Sequence, residues 1–363
     1  MITAGDEYPL HQTSRPVRDP GTERNLYDRF FFNGYARDGS VYFAVAFGMY
    51  PGRNIMDGAI SVIVDGVQHN LRGSRLLGND RLDTRVGPIR VEIVEPLRRL
   101  RVVADDAESG FAADLLFTAR CPLFEEPHYL WAPGHRTVFD ITRLTQNGTW
   151  SGSIAVPGGN TIAVDDSSWL GTRDRSWGVR PIGEREGGAM EAPPGFYWLW
   201  APLNFDDGGF LFDVNEYADG RRWHHSAMWA PAGPLDTPVE QGTAEYDFHY
   251  RSGTRHAEHF ELRFMLPSGE RKVSLTPLYN FYMQGIGYTH PQWGHGYYVG
   301  DDVRAYDSLV TAEQDEMSPF NQHVQTLVRA ARDDGAEGIG ILEQLIIGPH
   351  APSGLSEILD PHA

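Results

Sequence analysis

Short runs of alternating apolar and polar residues dominate the chain and predict antiparallel β-strands. In Ala59–Leu71 the pair Asp65-Gly66 separates two such runs, as is typical of a two-residue hairpin turn. Similar turn sequences separate further runs at residues 107–110, 219–220 and 252–254. Successive strands joined by short turns form a meander, and long meanders close into barrels or pack as sandwiches. The pattern therefore predicts an all-β protein.

One segment near the C-terminus departs from the two-residue alternation. Ser318 followed by Pro319 suits the first residues of a helix, and Gly335 suits the residue after its end. The apolar residues between them recur at the three- and four-residue spacing of one helix face: Val324, Leu327, Val328 and Ala331. We therefore expect one amphipathic helix at about 319–333, packed against the β-core.

A stretch rich in Gly, Pro and Glu, residues 179–196, lies between two β-rich halves of the chain. It is either an interdomain linker or a long loop over a pocket. As a linker it predicts two antiparallel β-domains, an N-terminal one at 1–185 and a C-terminal one at 186–363, the latter carrying the helix. All nine Trp residues lie between Trp131 and Trp293. This asymmetry indicates either an aromatic-lined cavity in that part of the chain or a β-core that uses Trp.

The composition mainly argues against nucleic acids and membranes as partners. The formal net charge is −18, and such a surface repels phosphate backbones and anionic lipid headgroups, so we expect no nucleic acid partner. No apolar run is long enough for a membrane helix, and the first residues lack the apolar core of a signal peptide. We therefore expect a cytoplasmic protein without stable membrane insertion. The sequence leaves its oligomeric state open.

Common cofactor and metal signatures are missing from the sequence. It has no Walker loop, no G-x-S-x-G elbow and no G-x-G-x-x-G sequence that opens a helix. The adjacent His224 and His225 point to opposite faces of a strand and cannot chelate together. His290 and His295 share a loop, where polar loop histidines are a simpler interpretation than metal ligands. We expect neither a metal nor a cofactor.

One acid interrupts an aliphatic strand face. In the stretch 338–348, the two-residue period of a strand places these residues on one face: Ile339, Ile341, Glu343, Leu345 and Ile347. A carboxyl group in an apolar interior can hold its proton near neutral pH and serve as a general acid. The alternatives are a buried Glu343 paired with an arginine, or a strand face that is open to water.

The densest charge pattern is GTRDRSWGVRP, residues 171–181, which places Asp174 between Arg173 and Arg175 and close to Trp177. In an extended segment, Asp174 and Ser176 face one way and the two arginines face the other. Two roles follow from this pattern. The charged residues clamp two barrels together through buried ion pairs, or Asp174 takes part in the chemistry directly.

This segment is followed by a Trp-rich strand with Trp198 and Trp200 and by an Asp207-Gly208 turn. Over residues 171–220 the chain resembles the carotenoid hydratase (hydroxyneurosporene synthase) and AttH-like superfamily. The resemblance implies two tandem lipocalin-like (calycin-like) barrels. It also implies hydration of isoprenoid double bonds, as in some members, or ring-forming steps, as in relatives. The family pattern has His and Glu or Gln where this chain has Arg175 and Ser176.

Together these features predict an enzyme that hydrates or isomerises a C=C bond of a small lipophilic substrate, isoprenoid or polycyclic, by acid catalysis. Aromatic faces would stabilise the cation that forms, by about 0.5–2 kcal/mol each. The candidate acids are Asp174, Glu343, Glu216 and Asp213. The candidate pocket wall consists of Trp177, Trp198, Trp200, Tyr217, Trp223, Tyr282 and Trp293.

Two other functions are compatible with the sequence. A lipocalin-like carrier would hold an apolar small molecule without catalysis, although a carrier gains little from burying ionisable groups. A carbohydrate-active β-protein would use Trp platforms and two carboxyl groups about 5 to 10 Å apart.

Overall fold

The computed structural model describes residues 1–10, 23–133, 136–184 and 195–363. Within them the fold is all-β, and neighbouring strands along each sheet pair antiparallel. One sheet forms a nearly closed barrel and the other a half-barrel, which confirms the predicted tandem lipocalin-like fold. The helical residues of the described part are confined to short 3₁₀ turns: Ala4–Glu7, Pro51–Arg53, Met283–Ile286, Thr311–Glu313, Pro319–Asn321 and Ala351–Ser353.

The chain forms two compact units that are interleaved along the sequence. Unit 1 consists of Met1–Ala119, His128–Gly188 and Gln284–Val310, and unit 2 consists of Arg120–Pro127, Ala189–Met283 and Thr311–Ala363. A short early segment therefore belongs to unit 2, and a late segment belongs to unit 1. The predicted domain boundary, between residues 185 and 186, lies outside the described residues.

Unit 1 contains one large sheet. Its strands are β1 Leu26–Ala36, β2 Val41–Tyr50, β3 Ile55–Val64, β4 Val67–Leu76, β5 Arg85–Val86, β6 Ile89–Glu95, β7 Arg99–Asp106, β8 Phe111–Ala119, β10 Tyr129–Trp131, β11 Phe139–Ala155, β12 Ile162–Val164, β13 Trp169–Val179 and β21 Val303–Val310. Their order is β21-β4-β3-β2-β1-β13-β11-β8-β7-β6-β5, with β10 and β12 paired to β11.

Local sequence explains the hairpins of this sheet. Asp65 and Gly66 both have positive φ, 52° and 75°, as a tight two-residue turn requires, and Val64 pairs with Val67 across it. The predicted turn at 107–110 likewise joins β7 to β8. Both hairpin predictions are confirmed.

The core of unit 1 fills the inner side of its curved sheet with aromatic and aliphatic residues. Phe43 and Phe117 both pack their rings edge-on against Trp150, at centroid distances of 5.0 and 5.3 Å. The indole N–H of Trp150 donates to the carbonyl of Asn33. Gly171 lies against this contact, and a Cβ there would collide with both partners. The first glycine of GTRDRSWGVRP therefore makes room for the buried indole.

The two arginines of that segment also point into the core of unit 1. Arg173 and Arg175 lie across from Phe32 and Phe30, which are core residues. Arg173 forms a 2.8 Å ion pair with Glu7, which belongs to the 3₁₀ turn Ala4–Glu7. These contacts fasten the N-terminal turn inside the sheet of unit 1.

Arg175 forms the second buried ion pair, with Asp28 of β1. Its guanidinium also stacks over Phe30, 4.5 Å from the ring centroid. Both arginine ion pairs act within unit 1. The predicted alternation is confirmed, because Asp174 and Ser176 lie across from Thr145 and Arg143 on the other face of β13.

Unit 2 contains the second sheet. Its strands are β14 Phe196–Phe205, β15 Gly208–Glu216, β16 Arg222–Pro231, β17 Glu240–Gln241, β18 Thr243–Tyr250, β19 Ala257–Leu266, β20 Gly269–Tyr282, β22 His323–Arg332 and β23 Glu337–Ile347, and the short β9 Phe124–Glu125 also belongs to this unit. The sheet order is β17-β16-β15-β14-β23-β22-β20-β19-β18.

The predicted helix at about 319–333 is wrong. Only Pro319–Asn321 forms a 3₁₀ turn, and His323–Arg332 is strand β22, paired with β20 on one side and β23 on the other. Residues 323–328 are all buried, so both faces of the strand need residues that tolerate burial. Its apolar residues therefore do not alternate, and their spacing imitates that of a helix. Backbone hydrogen bonds to β20 and β23 stabilise this segment as a strand and outweigh its helical spacing.

No helix among the described residues is long and apolar enough to cross a membrane.

Replacing Arg175 with Met should destabilise the protein by about 3–5 kcal/mol, because it leaves the Asp28 carboxylate buried without its cation. The matched control is Arg101→Met, which breaks the exposed pair between Arg101 and Asp114. We expect a far smaller loss there, since solvent screens exposed pairs. Urea unfolding of both variants measures the difference, and equal losses would contradict the structural role of Arg175.

Candidate active site

The sheet of unit 2 buries polar side chains on the face that turns away from its core. Every residue of β15 is buried. Phe212 and Val214 of this strand join the hydrophobic core of unit 2, whereas Asp213 and Asn215 point to the opposite face. Buried polar groups need partners, so this second face is where specific contacts have to form.

A row of polar and aromatic side chains crosses this face at one level of the sheet. Directly paired residues of neighbouring antiparallel strands share a face, and the registers of β16, β15, β14, β23 and β22 align five such residues. In that order they are Ser226, Asp213, Trp200, Glu343 and Gln325. Two candidate acids and one candidate wall residue from the sequence are thus brought together.

Glu343 has two side-chain partners on this face of the sheet. Its Oε1 lies at hydrogen-bond distance, 2.6 Å, from Nε2 of His323, and its Oε2 accepts a hydrogen bond of 2.6 Å from the amide of Gln325. Glu343 is 3% exposed. The partners are therefore a histidine and an amide, and not the arginine of the alternative interpretation. Such a buried carboxyl–imidazole pair can give and take protons.

Two Trp residues stand beside this pair. Trp198 and Trp200 share the face of β14, as their two-residue spacing predicts, and Trp200 lies between Asp213 and Glu343. Trp198 packs edge-on against His323, with ring centroids 5.8 Å apart. The carboxyl–imidazole pair is therefore bordered by indole rings.

His323 and Gln325 are the residues that the sequence analysis missed. Both lie on β22, in the segment for which a helix was predicted. The two-residue spacing of His323 and Gln325 was the available signal, since in a strand it places both polar residues on one face.

The other candidates in unit 2 lie elsewhere. Glu216 points to the opposite face from Asp213, where its Oε2 lies 3.0 Å from Nε2 of His350. Tyr282 pairs with Val324 and so faces away from Gln325. Tyr217 is exposed, and Trp223 lies near it, at a ring distance of 6.4 Å.

Three candidates belong to unit 1. Burial raises the pKa of Asp174, although Arg143, whose Nε lies 4.0 Å from its carboxylate, opposes this shift. Trp177 lines a cavity of about 200 Å³ together with Leu10 and Asp28. Trp293 lines a small recess beside His295. The structure therefore divides the candidate residues between the two units.

Unit 1 also buries a cationic and aromatic cluster around Arg29. Its guanidinium donates a hydrogen bond of 2.7 Å to the Tyr288 hydroxyl and one of 3.1 Å to Nδ1 of His295. His290, in contrast, accepts a hydrogen bond from the backbone N–H of Trp293. The two loop histidines thus have different hydrogen-bond partners.

Asp57 is the titratable acid of this region. It accepts hydrogen bonds from the backbone N–H of Gly296 at 2.7 Å and from the Tyr50 hydroxyl at 3.1 Å. Burial raises its pKa to about 6, against the opposing effects of these hydrogen bonds and of Arg29. Asp57 therefore changes charge within the range of mildly acidic solutions.

A cleft of about 450 Å³ in unit 2 does not coincide with the Glu343 row. It is lined largely by charged side chains such as Glu261, Arg263 and Lys272, which are exposed.

The fold and this site define a tandem lipocalin-like β-barrel protein with a buried carboxyl–imidazole pair. Residues 2–356 match the family described as "Family of unknown function (DUF8625)", and the chain belongs to that family. A search of curated proteins found no match.

Solved structures with a similar fold include two proteins at low sequence identity. Kievitone hydratase from Nectria haematococca shares 13% identity at a TM-score of 0.51, covering 91% of each chain. CghA shares 11% identity at a TM-score of 0.51, covering 91% of this chain and 90% of its own. CghA with Sch210972 gives 11% identity and a TM-score of 0.50, with 90% and 89% covered. The similarity establishes a common fold.

The stability of the Asp57→Asn variant relative to wild type should increase as the pH rises from 4 to 7. The native state holds the Asp57 proton up to about pH 6, whereas the unfolded chain releases it near pH 4, so wild-type stability falls across this window. The variant has no such proton, and its stability relative to wild type should increase by about 2–3 kcal/mol. Urea unfolding at several pH values measures this difference, with the exposed Asp105→Asn as control. A difference that does not vary with pH would refute the assignment.

Proposed function

We propose that this protein adds water to, or isomerises, a C=C bond of a small lipophilic substrate, isoprenoid or polycyclic, and that Glu343 acts with His323 as the proton donor. The observation that carries the proposal is the buried Glu343 carboxyl, hydrogen-bonded to His323 and Gln325 and bordered by Trp198 and Trp200. A buried ionisable pair can transfer protons in a catalytic site, whereas a protein that only binds an apolar ligand gains nothing from such a pair.

The proposed reaction needs only a mobile proton and water. The Glu343–His323 pair gives its proton to one alkene carbon, and the other carbon becomes a carbocation. The oxygen of a water molecule bonds to that carbon, and the proton that this water releases returns to the pair. If the pair instead removes a proton from a neighbouring C–H bond, the double bond moves and an isomer forms.

The indole rings support the cationic intermediate in this proposal. An aromatic face attracts a cation by about 0.5–2 kcal/mol, and more in a desolvated place. Trp200 is buried directly beside Glu343 in the strand register, so its ring is available where the proton leaves. Gln325 holds the second carboxyl oxygen and so fixes the orientation of the donor.

The shared fold is compatible with this reaction class. Kievitone hydratase has the same fold, and its name states that it is a hydratase. The resemblance of residues 171–220 to the carotenoid hydratase superfamily points to the same class. Neither comparison identifies the substrate, whose lipophilic character in this proposal follows from the indole rings of Trp198 and Trp200 beside the proton donor.

Glu343→Gln should lower kcat by about 10²–10⁴-fold with little change in KM, because proton transfer acts in the transition state. The measurement follows ¹⁸O from labelled water into the products of a panel of isoprenoid and polycyclic alkenes. The matched control is Glu337→Gln, an exposed glutamate on the same strand, which should keep wild-type turnover. An active Glu343→Gln enzyme would contradict the proposal.

His323→Gln should also lower kcat, by about tenfold or more, because Gln cannot relay a proton although it can still donate a hydrogen bond to Glu343. Binding of an apolar fluorescent probe, measured in parallel, should be unchanged. Loss of probe binding together with activity would indicate a packing role for His323 instead.

The same assays separate the two alternative functions. Tight probe binding without turnover of any alkene would favour a carrier. Aryl glycosides belong in the panel because Asp213 and Glu343 flank Trp200 two strand spacings apart, about 10 Å at the backbone. Hydrolysis of a glycoside would favour the carbohydrate-active function.

A further inference from the structure

A second cluster of ionisable side chains lies on the same sheet face, on the other side of Trp200. It consists of Asp213 on β15, His224 on β16 and Glu126 from the segment Arg120–Pro127. One ligand atom of each residue lies within 4.8 Å of the other two, and none of the three is more than 6% exposed. Nε2 of His224 lies 3.3 Å from Oδ2 of Asp213.

Two neutral oxygen donors adjoin this cluster. Ser226 pairs directly with Asp213, and Asn215 pairs directly with His224, so all four side chains share one face of two adjacent strands. Ser226 is 4% exposed, and its Oγ has no hydrogen-bond partner within the described part of the chain. The amide nitrogen of Asn215 donates to the carbonyl of Tyr197, whereas its Oδ1 likewise has no partner there.

The charge and chemistry of this set suit a dication. Two buried carboxylates carry charge that is costly to remove from water, and a divalent ion compensates both at once. One imidazole nitrogen with carboxylate and neutral oxygens is a donor set for Zn²⁺ or Mn²⁺, because imidazole favours the former and oxygen ligands the latter. Ligand atoms around one such ion lie about 3–4 Å apart, so small side-chain rotations close the cluster.

We infer that Glu126, Asp213 and His224 bind one divalent transition-metal ion of the Zn²⁺ or Mn²⁺ type, with Ser226 and Asn215 as the adjoining oxygen donors. The expectation of no metal rested in part on His224 and His225, which as strand neighbours cannot chelate together. The ligands come instead from different strands and from a short segment far away in the chain. The inference stands on this geometry and is independent of the proposed reaction at Glu343.

The test is titration of EDTA-treated, dialysed full-length protein with ZnCl₂ and, separately, with MnCl₂, followed by calorimetry and by the melting temperature. We expect one ion per chain for at least one metal, and a melting temperature that rises with its concentration. Asp213→Asn and His224→Gln should each weaken binding by at least tenfold. His225→Gln, which removes the exposed histidine next to His224, should bind like wild type.

Two results would overturn the inference. The first is wild-type protein that takes up no stoichiometric ion; a gain in metal-free stability in Asp213→Asn would then indicate two carboxyl groups that share a proton. The second is binding that survives both substitutions or depends on His225. Glu126→Gln replaces any variant whose circular dichroism shows that it has not folded. Glu343→Gln should bind the ion normally, which separates this test from that of the proposed function.

Discussion

All nine residues of β15 are buried, and β14, β22 and β23 are buried over most of their length. Strands in this position cannot send their polar side chains to water. Each polar residue on the face away from the core needs a partner on a neighbouring strand, because an unsatisfied polar group in such a place costs about 1–3 kcal/mol. The contacts of Glu343 with His323 and Gln325 follow from this constraint, and so does the concentration of functional groups on one sheet face.

Unit 1 meets the same constraint with arginines. Arg173 and Arg175 can lie in an aromatic core because the carboxylates of Glu7 and Asp28 neutralise their charges. The guanidinium of Arg175 also stacks on the ring of Phe30. Such pairs specify one arrangement more than they add stability, since the desolvation of both charges offsets much of their attraction. The two arginines of GTRDRSWGVRP are therefore structural residues of unit 1, and they anchor the N-terminal turn.

In unit 2, Trp200 separates two groups of different chemistry. On one side, Glu343 and His323 form a buried, hydrogen-bonded carboxyl–imidazole pair. On the other, Asp213, His224 and Glu126 form a denser cluster with the donor set of a cation site. Neighbouring strands lie about 4.8 Å apart, and each contributes one side chain to a line of directly paired residues. Two different groups can therefore lie on either side of one indole. Loops of different lengths would not position them so regularly.

The sequence by itself determined the strands, the hairpin turns and the all-β class, because a two-residue period and turns such as Asp65-Gly66 are local properties. It also placed Glu343 on an aliphatic face and put Trp198 and Trp200 on one side of a strand. It failed at β22, because burial on both faces removes the alternation that identifies a strand. Only the tertiary structure decided that His323 and Gln325 meet Glu343, that Glu216 faces away from Asp213, and that Glu126 joins His224. These contacts depend on the pairing of strands and segments distant in sequence, and that register is set by the packing of whole sheets, which no local pattern records.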